Sequence, residues 1–207
     1  MNTPILSPNP NTPEPELIQQ VAKELLAYRV VLIPTDTVYG IALIVSSETH
    51  PKELAWIKER PEEKDIPLLV SSQKDLELYS SALPLYAMEL AARHWPGALT
   101  LVVRASDAIP KNFVANNGSI ALRMPAHNIT LALLNAVQAP LACSSANLSG
   151  KAPASSLDEL DFKLAERVAL MVDGGSLKAG QASTVVSCLG DEPKVLRCGP
   201  ITIENQV

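Results

Sequence analysis

The sequence contains no apolar run that could span a membrane. Its longest apolar stretches, such as 98–103 and 131–134, are far shorter than the ~20 residues that a transmembrane helix needs. The N-terminus also lacks the basic region and the continuous apolar core of a signal peptide. We therefore expect a cytoplasmic protein without a membrane segment.

Cysteine is scarce and irregularly spaced. The chain has three cysteines, Cys143, Cys188 and Cys198, and no CxxC pair. An odd number without such spacing argues against a disulfide framework and against a zinc site. This pattern agrees with a reducing compartment.

Positive charge and aromatic side chains are also in short supply. The net charge is −5, and the chain has two Phe, two Trp and four Tyr. Nucleic-acid binding depends on a basic face that neutralises phosphates and, for single strands, on aromatic side chains that stack on bases. We do not expect stable nucleic-acid binding, and any polyanion that the chain handles should be small.

The common nucleotide-binding and hydrolytic motifs are missing as well. The sequence has no GxxxxGK[ST] and no GxGxxG, so it supports neither a P-loop nor a dinucleotide fold. HExxH and GxSxG are absent too. His50, His94 and His127 are isolated, which favours surface or structural roles over metal binding.

What the chain does contain is an alternation of helix and strand patterns. Its 207 residues are 47% apolar and 19% charged, which is typical of a globular chain forming one domain or a pair of lobes. Apolar periodicity predicts helices at 14–28, 51–60, 72–81, 83–95, 127–138 and 156–167. Apolar runs predict strands at 30–33, 41–45, 66–71, 98–104, 119–125, 140–145, 168–173, 183–188 and 194–199. Residues 1–13 are rich in Pro, Asn and Thr, and we expect them to be mobile.

The segment 31–40, VLIPTDTVYG, has the pattern of a buried strand that ends at a binding site. The strand stops at Pro34, which has no N–H to donate, and Thr35, Asp36 and Thr37 then place polar groups at its end. Ligands of open α/β sheets lie beyond strand ends. The alternative is a strand followed by a turn that Asp36 and Thr37 stabilise.

Other predicted strands also have polar or cationic residues at one end. Arg123 ends one strand, Ser145 and Asn147 follow another, Ser183 starts a further one, and Arg197 lies near the end of the last. If the strand ends converge, they line one cavity suited to an anionic ligand with a hydroxylated or planar part. On spacing alone, Lys58, Arg60 and Lys64 are typical of a solvated helix end.

Seven motifs in order resemble the threonylcarbamoyl-AMP synthase family, also called YrdC-like, over residues 14–200. They are PTDTVYG, the KxRPxxK of Lys58, Arg60 and Lys64, WPGALT, ALRMPAH, SSANLSG, GQASTVV and VLRCG. The resemblance implies a single α/β domain, 14–207, with a twisted mixed sheet flanked by helices and curved around a large open cavity. It also implies a nucleotidyltransferase, L-threonylcarbamoyladenylate synthase. Such an enzyme condenses L-threonine, bicarbonate or CO2, and ATP into threonylcarbamoyl-AMP and pyrophosphate, and a separate transferase then modifies tRNA to N6-threonylcarbamoyladenosine.

The same resemblance implies roles for individual residues. Lys58 and Arg60 would be catalytic, and Mg2+ would accompany ATP. Binding of ATP would involve Arg60, Lys64, Ser119, Ser145, Asn147, Pro153 and Arg197. Binding of L-threonine would involve Thr35, Arg123, Cys143 through its backbone, and Ser183. No covalent nucleophile is required.

The sequence departs from the family pattern at several positions, and two alternatives stay open. Ala98 stands where many relatives have proline, KDIP lengthens the spacing after Lys64, and Ser71 stands where some relatives have histidine. One alternative is a paralogue with the same fold and no synthase activity. The other is an RNA- or nucleotide-binding module.

Overall fold

The computed structural model describes residues 3–60, 66–177 and 180–203. The strands are β1 Ile5–Leu6, β2 Val31–Ile33, β3 Gly40–Ile44, β4 Leu68–Leu69, β5 Leu99–Arg104, β6 Ser119–Arg123, β7 Leu141–Ser145, β8 Leu170–Val172, β9 Thr184–Ser187 and β10 Lys194–Arg197. The helices are α1 Pro15–Leu26, α2 Lys52–Ile57, α3 Lys74–Tyr79, α4 Leu85–His94, α5 Asn128–Val137 and α6 Phe162–Ala165. Short 3-10 turns occur at Lys111–Phe113 and Leu157–Glu159.

All ten of these strands belong to one mixed sheet. Its order is β1-β8-β2-β3-β7-β4-β6-β5-β9-β10. The pairs β1–β8, β2–β8, β4–β6 and β5–β9 are parallel, and the other neighbours are antiparallel. The predicted class, a single α/β domain with a mixed sheet and flanking helices, is confirmed.

Helices cover both faces of the sheet, which explains the unbroken apolar run of β2. Val31 and Ile33 pack on the face covered by α1 and α5, whereas Leu32 packs on the opposite face with residues of α2 and α4. A strand buried on both faces needs apolar side chains at every position rather than at every second one. Full burial of each such side chain contributes about 1.5–3 kcal/mol.

The segment predicted to be mobile contributes a strand. Ile5 and Leu6 of β1 pair in parallel with Met171 and Val172 of β8. Leu6 O accepts a hydrogen bond from Asp173 N at 2.7 Å. The partners lie more than 160 positions away in the chain, and composition over 13 residues carries no information about such a contact.

The predicted helix at 156–167 is two short pieces. The 3-10 turn Leu157–Glu159 ends at Leu160, and α6 starts afterwards. Asp161 Oδ1 accepts a hydrogen bond from Lys163 N at 3.0 Å, which caps the first turn of α6. This local cap starts a new helix where the apolar periodicity had suggested a continuous one.

The strand pairing shows that the predicted site residues do not all lie along one edge of the sheet. Leu69 of β4 is paired with both Arg123 on β6 and Leu141 on β7, so Arg123 is level with Leu141. Ser145 is four residues further along β7, which corresponds to about 13 Å. A site that includes both Arg123 and Ser145 therefore extends across the sheet.

Candidate functional site

One pocket of about 300 Å³ brings together most of the residues that the sequence predicts for the site. Seven of the predicted residues line it: Thr35, Arg60, Arg123, Cys143, Ser145, Ser183 and Arg197. Three of the seven are arginines, and the remaining polar side chains are hydroxyls and a thiol. The large open cavity implied by the resemblance stays a prediction.

The other predicted residues either do not line this pocket or fall outside the described residues. Asn147 is connected to it through Ser145, whose hydroxyl donates to Asn147 Oδ1 at 2.6 Å. Ser119 is 2% exposed and donates its hydroxyl to Asn117 Oδ1 at 2.7 Å. Pro153 and Lys58 are not part of the lining either. Lys64 falls outside the described residues.

The turn after β2 is closed by the hydroxyl of Thr35. That hydroxyl donates to Val38 O at 2.7 Å and accepts from Thr37 N at 3.1 Å. The Thr35 and Thr37 hydroxyl oxygens are 3.0 Å apart. Thr35 Oγ1 also accepts from Val38 N at 3.3 Å, and its single hydrogen is used on Val38 O. Thr35 therefore shapes the wall of the pocket and has no hydrogen left to donate to a ligand.

Arg123 is held by three acceptors and keeps donors for a ligand. Its Nε donates to Gly97 O at 3.0 Å, its Nη1 to Thr37 Oγ1 at 3.0 Å, and its Nη2 to Asp36 Oδ1 at 2.5 Å. A guanidinium has five N–H groups, so one remains on each terminal nitrogen. This arrangement orients a planar donor pair that suits a carboxylate or a phosphate.

Arg197 places a second positive charge near Arg123. Its Nε donates to Ser183 O at 3.0 Å and its Nη2 to Ser183 Oγ at 3.1 Å. Burial, and then the nearby charge of Arg123, lowers the pKa of Arg197. Two guanidiniums that repel each other at one pocket are stabilised by an anionic ligand between them.

Gly199 allows β10 to bring Arg197 to this position. A Cβ at residue 199 would lie 2.4 Å from Thr184 N and 2.6 Å from Ala182 O. These are backbone atoms that cannot rotate away. Only glycine therefore permits this close approach between the end of β10 and the start of β9.

Lys58 does not line the pocket but contacts Ser145, which does. Its side chain is buried, and its Nζ donates to Ser145 O, to Asn147 Oδ1 at 3.1 Å and to Ser145 Oγ at 3.3 Å. An ammonium has three N–H groups, so these acceptors use all of them. Burial, and then the charge of Arg60, lowers the pKa of Lys58 to about 8. Lys58 thus fixes the loop that carries Ser145 and Asn147.

Cys143 is a neutral thiol in close contact with β3. Burial raises its pKa to about 12, and the charges of Arg123 and Lys58 oppose this shift only in part. A Cβ at Gly40 would lie 2.4 Å from Cys143 Sγ, so the two positions are matched in size. A protonated, enclosed thiol is a poor nucleophile, and this leaves the backbone as the group that Cys143 would offer to a ligand.

Nine lining residues were not among the predicted site residues, and Thr37, Tyr39 and Thr100 are three of them. Tyr39 is fully buried, donates to Gly175 O at 2.8 Å and accepts from Gly174 N at 2.9 Å. It thereby ties the turn after β8 to the wall of the pocket. All three stand inside the PTDTVYG and WPGALT motifs, which was the available signal.

The described residues contain neither a cluster of metal-binding side chains nor a helix that could span a membrane. No group of three or more His, Cys, Asp or Glu side chains in these ranges is arranged to hold a metal ion. None of the helices in these ranges is both long enough and apolar enough to cross a membrane.

Comparisons with known proteins agree with this fold and site. The Sua5_yciO_yrdC family model, described as "Telomere recombination", matches residues 23–199. A Bacillus subtilis protein named threonylcarbamoyl-AMP synthase is 37% identical over 196 residues, which cover 94% of this chain and 56% of that protein. A Pyrococcus abyssi protein of the same name is 34% identical, over 86% of this chain and 52% of its own length. The chain belongs to the Sua5/YciO/YrdC family, and it spans about half the length of these two relatives.

Solved structures support the same assignment. P. abyssi Sua5 complexed with L-threonine has a TM-score of 0.86 and 32% identity, covering 95% of this chain and 58% of that chain. Escherichia coli YciO has a TM-score of 0.87 at 24% identity, covering 96% of both chains. The first supports the family together with the fold, and the second supports the fold alone.

Proposed function

We propose that this chain is an L-threonylcarbamoyladenylate synthase, a nucleotidyltransferase that forms threonylcarbamoyl-AMP and pyrophosphate from L-threonine, bicarbonate or CO2, and ATP. The observation that carries the proposal is the single pocket in which Arg60, Arg123 and Arg197 meet a set of hydroxyl groups. Relatives named threonylcarbamoyl-AMP synthase, and a relative solved with L-threonine, support the choice of substrates.

The amino acid fits the Arg123 side of the pocket. The two free N–H groups of Arg123 match the two oxygens of a carboxylate. Ser183 and the backbone of Cys143 border the same space and are available for the rest of the molecule. Thr35 would contribute through the turn that its hydroxyl closes.

The nucleotide fits the Ser145 side. Arg60 lies there, 3.4 Å from the hydroxyl of Ser144, and Arg197 lines the same pocket. Both would neutralise phosphate charge, and Lys58 would act through the Ser145 and Asn147 loop. We further assign contacts with ATP to Ser119, Pro153 and Lys64. Mg2+ would enter as part of the substrate, MgATP, because Mg2+ is commonly held by substrate phosphates and water.

The chemistry requires positioning rather than a covalent intermediate. The neutral amine of threonine attacks CO2, and a carbamate oxygen then displaces pyrophosphate at the α-phosphorus. The guanidiniums stabilise the negative charge that develops on the leaving pyrophosphate. Holding the carbamate and the α-phosphate in contact lowers the entropic part of the barrier, and exclusion of water protects the carbamate.

The product is a reactive adenylate, so a second protein must consume it. We propose a separate transferase that moves the threonylcarbamoyl group to tRNA, with this chain itself forming no stable complex with nucleic acid. The cytoplasmic location expected from the sequence stays a prediction.

Release of pyrophosphate tests the proposal. The purified chain is incubated with ATP, Mg2+, bicarbonate and L-threonine, and each component is omitted in turn. We expect pyrophosphate only when all are present. Pyrophosphate that forms equally without threonine or without bicarbonate would contradict the synthase assignment. It would favour the alternative, a paralogue with the same fold and no synthase activity.

A variant of Arg60 tests its assigned role. Arg60→Ala should lower kcat/KM by the equivalent of about 1.5–3 kcal/mol, because a charge-assisted hydrogen bond to phosphate is lost. Arg93→Ala is the matched control, since Arg93 is 55% exposed on α4 and is paired with Glu89 at 3.6 Å. If Arg60→Ala unfolds the protein and the folded fraction keeps full activity, then Arg60 is structural.

A further inference from the structure

We propose that Thr100 is a positioning residue that orients the hydroxyl hydrogen of Ser183 into the pocket. The inference rests on the proposed function, because it assigns a donor to the amino-acid end of that site. It starts from two contacts. Thr100 Oγ1 lies 2.7 Å from Ser183 Oγ, and Arg197 Nη2 donates to Ser183 Oγ at 3.1 Å.

The direction of the hydrogen bond between the two hydroxyls follows from their burial. Thr100 is 0% exposed, and within the described part of the chain its hydroxyl has Ser183 Oγ as its one hydrogen-bond partner. If Ser183 were the donor, the hydrogen of Thr100, which has no exposed surface, would be left without an acceptor among the described residues, which is unfavourable. Thr100 therefore donates to Ser183.

The acceptor capacity of Ser183 is then filled. A hydroxyl oxygen has two lone pairs, and here one accepts from Thr100 and the other from Arg197. Arginine has no acceptor atom, so the direction of its bond is fixed. The remaining group of Ser183 is its own O–H, which has no carbonyl or hydroxyl partner among the described residues. Ser183 is 4% exposed and lines the pocket, so this hydrogen is directed at the ligand.

The neighbouring hydroxyls on the Arg123 side have partners within the turn. Thr35 donates to Val38 O, and Thr37 Oγ1 accepts from Arg123 and lies 3.0 Å from Thr35 Oγ1. The Ser183 hydrogen, in contrast, has no acceptor among the described residues, so a bound molecule must present an acceptor atom to it.

The side-chain oxygen of L-threonine is such an acceptor, whereas L-valine has the same shape and no oxygen. With valine bound, the Ser183 hydrogen would be buried without a partner, so discrimination against valine follows from the orientation that Thr100 imposes. A site built to bond a hydroxyl can discriminate by about 10⁴-fold. Serine lacks one methyl group, which is worth about 10- to 200-fold.

Substitutions at Thr100 test this orientation. Thr100→Val keeps the shape and removes the donor, and Thr100→Ser keeps the donor. The measurements are kcat/KM for pyrophosphate release with L-threonine, L-serine and L-valine, together with the dissociation constants of the three amino acids by calorimetry. We expect Thr100→Val to lower the threonine-to-valine ratio about 3- to 10-fold, in line with one weakened hydrogen bond. Thr100→Ser should restore the ratio.

Two further variants separate this effect from a loss of stability. Thr49→Val removes a buried hydroxyl that donates to Ile44 O at 2.6 Å, away from the pocket, and should leave the ratio unchanged. Ser183→Ala removes the donor itself and should lower the ratio at least as far as Thr100→Val does. It also serves as the test if Thr100→Val does not fold.

These measurements test the orientation of Ser183 by Thr100 separately from the synthase assignment. A ratio that is unchanged in Thr100→Val, or one that falls equally in Thr100→Ser, overturns the orientation of Ser183 and leaves the synthase assignment intact. Ser183→Ala with an unchanged ratio does the same. A wild-type protein that neither binds L-threonine nor depends on it for pyrophosphate release overturns both.

Discussion

The ion pair between Arg123 and Asp36 is more deeply buried than the other ion pairs among the described residues. Its two side chains are 7% and 13% exposed and are 2.5 Å apart. The Arg29–Glu24 pair is as short, at 2.6 Å, but its side chains are 54% and 22% exposed. Solvent and salt screen the second pair, whereas the first pair would leave an uncompensated charge if one member were removed.

Neutralising one acid in each pair measures this difference. Asp36→Asn should lower the free energy of unfolding by on the order of 3 kcal/mol, because Arg123 stays buried without its counter-ion. Glu24→Gln, the matched control, should change it by less than about 1 kcal/mol. Urea denaturation of both variants gives the comparison. Equal effects would show that the Arg123 side chain relaxes into water, and its assignment to the substrate carboxylate would then lose support.

Single residues also show where sequence patterns stop predicting roles. The motifs predict Thr35 and Lys58 at the site; Thr35 lines the pocket, whereas Lys58 contacts the lining residue Ser145. Their hydrogen bonds are nevertheless used on Val38 O and on the Ser145 loop. Which atoms satisfy a hydroxyl or an ammonium depends on residues up to 89 positions away, and the local sequence does not contain that information.

At the scale of elements, the patterns predicted well what local physics decides. Apolar periodicity placed α1 and α5, and unbroken apolar runs placed β2, β3, β5, β6 and β7, to within a few residues. Predictions were poorer where a distant partner decides. Only Leu68–Leu69 of the predicted strand 66–71 is assigned as strand. There, Ser71 forms hydrogen bonds with Asp75 Oδ2 at 2.9 and 3.0 Å, which leads the chain into α3.

Gly199 controls how closely β10 packs against β9. Gly199→Ala should separate the end of β10 from β9, because its Cβ would overlap backbone atoms of residues 182–184. Arg197 would then lose its contacts with Ser183. We expect weaker binding of ATP in calorimetry and a loss of stability of about 1–3 kcal/mol, as for other overpacked sites.

Gly190→Ala is the matched control for that change. A Cβ at residue 190 meets no atom within 4 Å, so this variant should bind ATP as the wild type does. Gly199→Ala with unaltered ATP binding would show that Arg197 does not contact the nucleotide.

At the scale of the whole molecule, the three thiols report on folding. Cys143 and Cys188 are buried, and burial raises the pKa of each to about 12. Cys198 is exposed. At pH 8 a thiol with a pKa near 12 is ionised to about one part in 10⁴, and the thiolate is the form that reacts.

Iodoacetamide at pH 8 should therefore add one label to the folded chain and three labels in denaturant, as counted by mass spectrometry of the intact protein. Cys198→Ser should take no label while folded. A second label that appears in native buffer at the rate of the first would place Cys143 or Cys188 in contact with solvent and contradict the burial of these thiols.

The order of strands in the sheet determines when each strand can pair during synthesis on the ribosome. The β2–β3 hairpin emerges early, yet its neighbour on one side is β7 and on the other is β8. At ~5–20 residues per second, synthesis of the roughly 125 residues between Ile44 and Leu170 takes about 6–25 s. Through that interval the β2 edge of this apolar hairpin stays unpaired, and the β3 edge stays unpaired until β7, Leu141–Ser145, is made. The pocket, whose lining extends from Thr35 to Arg197, does not exist until nearly the last strand is made, so a nascent or prematurely released chain cannot be rescued by its own substrates.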